Sequence, residues 1–417
     1  LAADAEGTAF YTDSANTPNL PEGSEAAFEA FKRDDPFASL FFDAAGLYVF
    51  PSNDPTFEWQ DDERSPRPGV VPFAEVPQLE RQDYVLNANE NHWLTNAYEP
   101  LTGYSWMFAP VETARTPRTK MNHRFMLETG PGSARGEDGL FTLDEIEQAA
   151  LSARSSIEMD LRQDLIDRCT GVASVDLTVD GTLQTVDITG ACDAITAWDG
   201  RYRVDSAGGH VMREWLASGL YTWDDMRTEG PLYEDPFQVE NPVYTPANLA
   251  LAPAEGADPA LLSLARATLR LQQAGVALDA TLGDIQFRRI GDNDIPTLGS
   301  HYQDGVISIA DFSNGGDTTL LPDVPRGTVV NGDTDLTDEG YVVNSGNSWI
   351  MAVQYTDDGP EARAVMVYSQ SEDPESPHYI DQSLVYAEQR LRPVLFDEAD
   401  IAASPELVTL ELSHPAE

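Results

Sequence analysis

Hydrophobic positions fall into two periods along this chain, and the period changes twice. At the start, Leu1-Ala2-Ala3, a turn over Asp4 to Gly7 and Thr8-Ala9-Phe10-Tyr11 read as a hairpin. A short helix follows from Ser24 to Arg33, with Ala27, Phe28 and Phe31 on one face. Residues 51–82 are dense in Pro, Asp and Arg and read as surface loop. An extended run at 83–88 comes next, and then an irregular stretch over 97–122.

From Thr142 the spacing is helical. Thr142 and Glu145 form a capping box, and Leu143, Ile146, Ala150, Ile157, Leu161 and Leu165 carry the stripe to Cys169. Residues 173–189 alternate about Asp180-Gly181, a hairpin signal. Helices are expected from His210 to Leu220 and from Asp258-Pro259 to Gly275. The last third returns to strands: Val306 to Phe312, Tyr341 to Val343, Trp349 to Tyr355 and Ala364 to Ser369, with a turn at Thr356 to Gly359. No internal repeat interrupts this order. It predicts an α+β protein in three segments: sheet over 1–125, mainly helix over 126–300, and strands again over 301–417.

Composition narrows the partners. Of 417 residues 41% are hydrophobic, enough for a core, and no run approaches a membrane span. Lys+Arg number 25 against 71 Asp+Glu, a net charge of −46, and the lysines are Lys32 and Lys120 alone. Such a surface repels nucleic acid and anionic membranes. It suits molar salt, where the Debye length shrinks to about 3 Å, so a halophilic or marine source is expected. The first residues lack the basic and apolar regions of a signal peptide. An opening in mid-pattern at Leu1 leads us to expect a processed or partial polypeptide.

Candidate chemistry concentrates at Asn87 to Leu101. Asn87, Asn89, Asn91 and Asn96 crowd a segment where asparagine is poor in helix or strand and good in turns. A fixed amide N–H there can face an oxygen that is becoming negative. The pattern Asn87-x-Asn89-Glu90-x-x-Trp93-Leu94-Thr95-Asn96, followed by Pro100-Leu101-Thr102-Gly103-Tyr104, resembles the penicillin acylase family of N-terminal nucleophile hydrolases. The nearer branch is the one acting on acyl-homoserine lactones and on lipopeptides such as aculeacin. Gly346-Asn347-Ser348, Tyr368 to Ser371, Ser376 to Tyr379, Asp381-Gln382 and Arg392 to Val394 extend the resemblance downstream, and the opening residues extend it to the start.

The resemblance implies part of a four-layer αββα sandwich and hydrolysis of a linear acyl amide through an acyl-enzyme. Alternatives are a penicillin or cephalosporin acylase, and a non-catalytic acidic secreted binding protein. It identifies Asn89 as the oxyanion asparagine, with Asn87 as the other reading of the Asn-x-Asn frame. Arg118 is the arginine that orients the nucleophile, with Arg115 and Arg124 as competitors, and His92 reads as a packed or turn-bonding residue. The family's nucleophile is an N-terminal Ser, Thr or Cys whose own α-amine acts as base. Leu1 cannot fill that role, so the nucleophile is expected on an N-terminal β-chain segment upstream of Leu1, with that segment and an α-chain from the same precursor as partners.

Cys169 and Cys192 resemble the disulfide of the lactone-acylase branch; two buried thiols are the other reading. A bridge implies an oxidising compartment, hence a periplasmic or secreted protein. No cofactor is expected. Some family members hold a structural calcium partly through an Asp after the oxyanion Asn, where this chain offers Glu99 and Pro100. No His pair has zinc-motif spacing.

Overall fold

A computed structural model describes residues 1–130, 132–217, 231–312, 327–330 and 334–412. The chain is a mixed helix-and-sheet protein, as expected, and falls into two compact units, Leu1–Thr113 and Ala114–Glu417. No described helix is long and apolar enough to cross a membrane.

In the first unit, strands Ala2–Ala3 and Ala9–Thr12 pair antiparallel, confirming the opening hairpin. A third strand, Gln78–Arg81, pairs with Ala9–Thr12 in the register Tyr11↔Leu79. This corrects the expectation of a strand at 83–88: the strand lies upstream, inside the stretch read as loop. Side chains displace the ladder after Arg81. The Asp83 carboxylate takes the Tyr84 N–H at 2.7 Å, and the Asn96 amide donates to the Tyr84 carbonyl at 2.8 Å. Chain bent onto its own side chains cannot continue a sheet.

The helix Ser24–Asp34 forms as expected and buries Phe28 completely. Rings of Phe42, Tyr48, Phe50 and Trp106 surround Phe28 with centroids 5.2–5.7 Å away. A second helix, Pro36–Ala45, was not anticipated. Its signals are nonetheless local: Asp35 accepts the N–H groups of Phe37 and Ala38, Pro36 opens the first turn, and Gly46 closes the helix at φ 64°.

The second unit begins with another unanticipated helix, Pro117–Leu127, inside the segment read as irregular. Thr116 caps it and Pro117 starts it. The capping box at Thr142 and Glu145 is present, but the single expected helix is two, Leu143–Leu151 and Ser156–Cys169. Ala153 takes φ 45° between them, and Ser155 caps the second by accepting from Glu158 N–H. The hairpin Ser174–Val179/Thr182–Asp187 turns on Asp180 and Gly181 at φ 49° and 75°, the positive pair a two-residue turn prefers. A disulfide joins Cys169 to Cys192 around it, with Cα atoms 5.8 Å apart.

The helix expected from His210 runs Gly209–Leu216, and residues 218–220 lie outside the described residues. Pro259–Ala274 has Asp258 as its cap and Gly275 at φ 71° as its stop. Leu161, Leu165, Ile195, Trp198, Trp215, Leu264 and Leu271, each at most 1% exposed, knit these helices into one core. Trp349–Thr356 pairs with Gly359–Met366 across the expected tight turn, and Arg392–Val394 adds a third strand. Of Val306 to Phe312 just Ala310–Asp311 is strand, paired with Ser345–Gly346.

Candidate active site

The loop after Arg81 is built by amide side chains. Asn96, fully buried, accepts from the N–H of Tyr98 and of Glu99 and donates to the Tyr84 carbonyl and to Asp83. Asn91 accepts from Trp93 N–H at 3.0 Å and donates to the Pro110 carbonyl. Asn87 accepts the Asn89 N–H at 2.9 Å and donates to the Glu90 carbonyl at 2.8 Å. Backbone bonds Leu86 N–H to Thr95 O and Leu101 N–H to Trp93 O close the loop. Trp93 and Leu94 are buried beneath it.

Asn89 differs from these three. It lies at φ 61°, a left-handed conformation that asparagine tolerates better than most residues, and like Asn87 it is exposed. Both ends of the Asn87 amide are committed to the turn that holds Asn89 in this conformation. The Asn87 amide thus builds the turn.

Charge steadies the same region. Arg81 bridges Asp83 at 2.8 Å and Glu99 at 2.5 Å. Its hydrogen bonds hold the Asp83 carboxyl at about 2. Burial pushes the Tyr84 hydroxyl up to about 12 while that oxygen accepts the Ala97 N–H. His92 is 1% exposed, its ring edge-on to Tyr104 and Phe108.

Arg118 occupies the second position of the Pro117–Leu127 helix and is half-buried; its carbonyl accepts from the Asn122 amide at 2.9 Å. Its competitor Arg124 is buried and bonds Asp160 at 2.5 Å. Arg115 is buried at 3% exposure.

Sequence reasoning missed two buried charge networks in the second unit. In the first, Lys120 and Arg124 share Asp160 at 2.6 and 2.5 Å, and Lys120 also donates to the Pro246 carbonyl. Burial draws the Lys120 ammonium down despite the carboxylate beside it. In the second, Arg213 donates to Ser300, which donates to Asp304, while Tyr341 donates to Glu214 at 2.5 Å. Burial raises both Asp304 and Glu214. One hint was available: Lys120 and Arg124 stand four apart on one helix face. Among the described residues no group of three or more His, Cys, Asp and Glu is placed to hold a metal ion.

Comparison with known proteins agrees with the family expected from the asparagine loop. The penicillin amidase family profile matches residues 1–403, and this chain belongs to that family. It is 29% identical to aculeacin-A acylase of Actinoplanes utahensis, an alignment covering 98% of this chain and 46% of that protein. Against the acyl-homoserine lactone acylase PvdQ of Pseudomonas putida it is 27% identical, over 86% of this chain and 40% of that one. A solved thermostable penicillin G acylase from Alcaligenes faecalis aligns at TM-score 0.47 and 16% identity, covering 100% of this chain and 67% of that one. The chain spans somewhat under half the length of the curated relatives it matches.

Proposed function

From membership of the penicillin amidase family, we propose that this chain is the β-chain part of an amidohydrolase that cleaves linear acyl amides through an acyl-enzyme. The substrates proposed are N-acyl-homoserine lactones or lipopeptides. The observation carrying this reading is the pair of relatives named for such substrates, each aligned over most of the chain. The nucleophile is an N-terminal hydroxyl on precursor chain outside this sequence, and its α-amine, with a pKa near 7.7–8.0, takes the hydroxyl proton.

The hydroxyl oxygen bonds to the amide carbon, and the carbonyl π electrons move to oxygen. Asn89 donates its side-chain N–H to that anion, an interaction worth about 2.7–4 kcal/mol in the transition state. Collapse expels the amine with the proton taken earlier, and water then hydrolyses the ester. Arg118 orients the nucleophile from behind, since its planar fork fixes an oxygen acceptor in both position and angle. No cofactor enters these steps. The disulfide favours an oxidising compartment, periplasmic or extracellular.

A β-lactam acylase is the second reading, favoured by the description of the family itself. The test is release of fatty acid from acyl-homoserine lactones of graded chain length, with penicillin G alongside. It uses the complete protein in molar salt, because a −46 chain repels itself less there. Hydrolysis of the lactones above penicillin G supports the first reading, and the reverse order the second. Turnover of neither substrate contradicts both.

A further inference from the structure

A cavity of about 570 Å³ in the second unit has three guanidiniums in its lining, from Arg154, Arg201 and Arg203, beside Gln148, Ser133 and Phe125. The backbone forces two of them together. Tyr202 N–H bonds Ala153 O at 2.9 Å and Ser155 N–H bonds Gly200 O at 3.3 Å, so Arg154 and Arg201 face each other as an antiparallel bridge. Those bonds flank the pair, which makes it the non-hydrogen-bonded kind, with Cα atoms only about 4.5 Å apart and side chains close. Like charges placed directly opposite are destabilising.

Neighbouring carboxylates do not remove the conflict. Glu128 holds Arg154 through both oxygens at 2.8 and 3.2 Å. Asp199 and Asp205 approach Arg203 at 3.3 and 3.5 Å. Glu145 also lines the cavity, but one of its oxygens is engaged by the Thr142 N–H and hydroxyl. Arg201 donates to the Ser152 carbonyl at 3.3 Å, and among the described residues no carboxylate lies within ion-pairing distance of it. In a chain with 71 acids to 25 bases, three clustered arginines with one lacking a carboxylate is an unexpected arrangement. The Arg201 guanidinium is drawn below its usual range, by burial first and then by Arg154 and Arg203, and the more distant Asp199 and Glu158 offset this only in part.

We propose that Arg154, Arg201 and Arg203 form a binding site for a small oxyanion, a carboxylate or phosphate group on a soluble metabolite. The anion supplies the charge missing at Arg201, and the guanidinium forks match the paired oxygens of either group. Gln148 offers a further donor in the lining. This site is independent of the acylase reading, because none of its residues belongs to the proposed catalytic set.

The test is isothermal titration of the complete protein with succinate, and in a separate arm with inorganic phosphate. It is run at the lowest chloride at which circular dichroism reports a folded protein. A saturable one-site isotherm in either arm is expected, and the arm that gives it assigns the class. Arg201→Gln weakens it at least about tenfold, as loss of a charge-assisted bidentate contact requires. Arg201→Lys falls between, keeping charge but losing the fork. The half-exposed Arg203→Gln weakens binding too, and guards against misfolding of the Arg201 variants. No saturable heat from either anion, as when a carboxylate from elsewhere in the protein fills the site, overturns the proposal. So does equal affinity in folded Arg201→Gln.

Discussion

The asparagine loop at 87–101 and the Lys120–Asp160–Arg124 cluster solve the same problem with opposite means. Each must hold polar groups away from bulk water. The loop does so with neutral amides bonding backbone a few residues away, as buried Asn96 does with the N–H groups of Tyr98 and Glu99. The cluster does so with full charges drawn from positions 36 and 40 residues apart. Neutral amides lose little on burial once their bonds are made. Buried ions depend wholly on one another, because a charge left alone in a low-dielectric interior is costly. The loop can therefore tolerate an exposed, unusual residue such as Asn89, whereas the cluster is intolerant of any missing member.

The comparison breaks most sharply at Asp160. Asp160→Ala leaves two cations buried without an anion and lowers stability by about 3–5 kcal/mol, read as a fall in the urea midpoint. A loss below about 1 kcal/mol would mean that the cations find other partners. Reducing the Cys169–Cys192 bridge costs about 3 kcal/mol in the chain-entropy model, measured by melting with and without reductant. No change in melting temperature would place the strain of the bridge against its benefit.

His210 sharpens the contrast through pH. It is buried, donates to the Ala277 carbonyl at 2.9 Å, and burial lowers its pKa to about 4. Between the unfolded value of 6.5 and about 4 the unfolded chain takes a proton that the folded one refuses. Stability is therefore full above pH 6.5 and falls as pH drops toward 4, by on the order of 3 kcal/mol. His210→Gln should flatten that part of the stability–pH curve relative to the parent. An unchanged slope assigns the acid sensitivity to other groups. The smallest effect is expected in the loop. Asn96→Ala removes bonds at a fully buried amide and costs about 1–3 kcal/mol, measured by thermal melting.

Legibility in the sequence follows the same division. Elements fixed by neighbours were readable: the Thr142 capping box, the Asp180-Gly181 hairpin, the Asp258-to-Gly275 helix and the Thr356-to-Gly359 turn. The helices at Pro36 and Pro117 carried equally local cap-and-proline signals, and were missed because apolar or Pro-containing surroundings masked the period. The strand at Gln78–Arg81 was missed for another reason: its partner is the distant Ala9–Thr12, and nothing nearby in sequence records that pairing. At the candidate site, the amide-rich loop was visible as composition. That the Asn87 amide builds the turn depended on the direction of individual hydrogen bonds. The arginine cavity depended on an isolated bridge between residues 154 and 201 and left no mark in the sequence.

Asn89 is proposed as a donor to the developing oxyanion, and steady-state kinetics of Asn89→Ala in the complete protein tests this most directly. The variant should melt within about 1 kcal/mol of the parent, since surface substitutions rarely cost more. Its kcat on an acyl-homoserine lactone should fall about a hundredfold or more while KM changes little. A folded variant that keeps near-parental kcat would contradict the account.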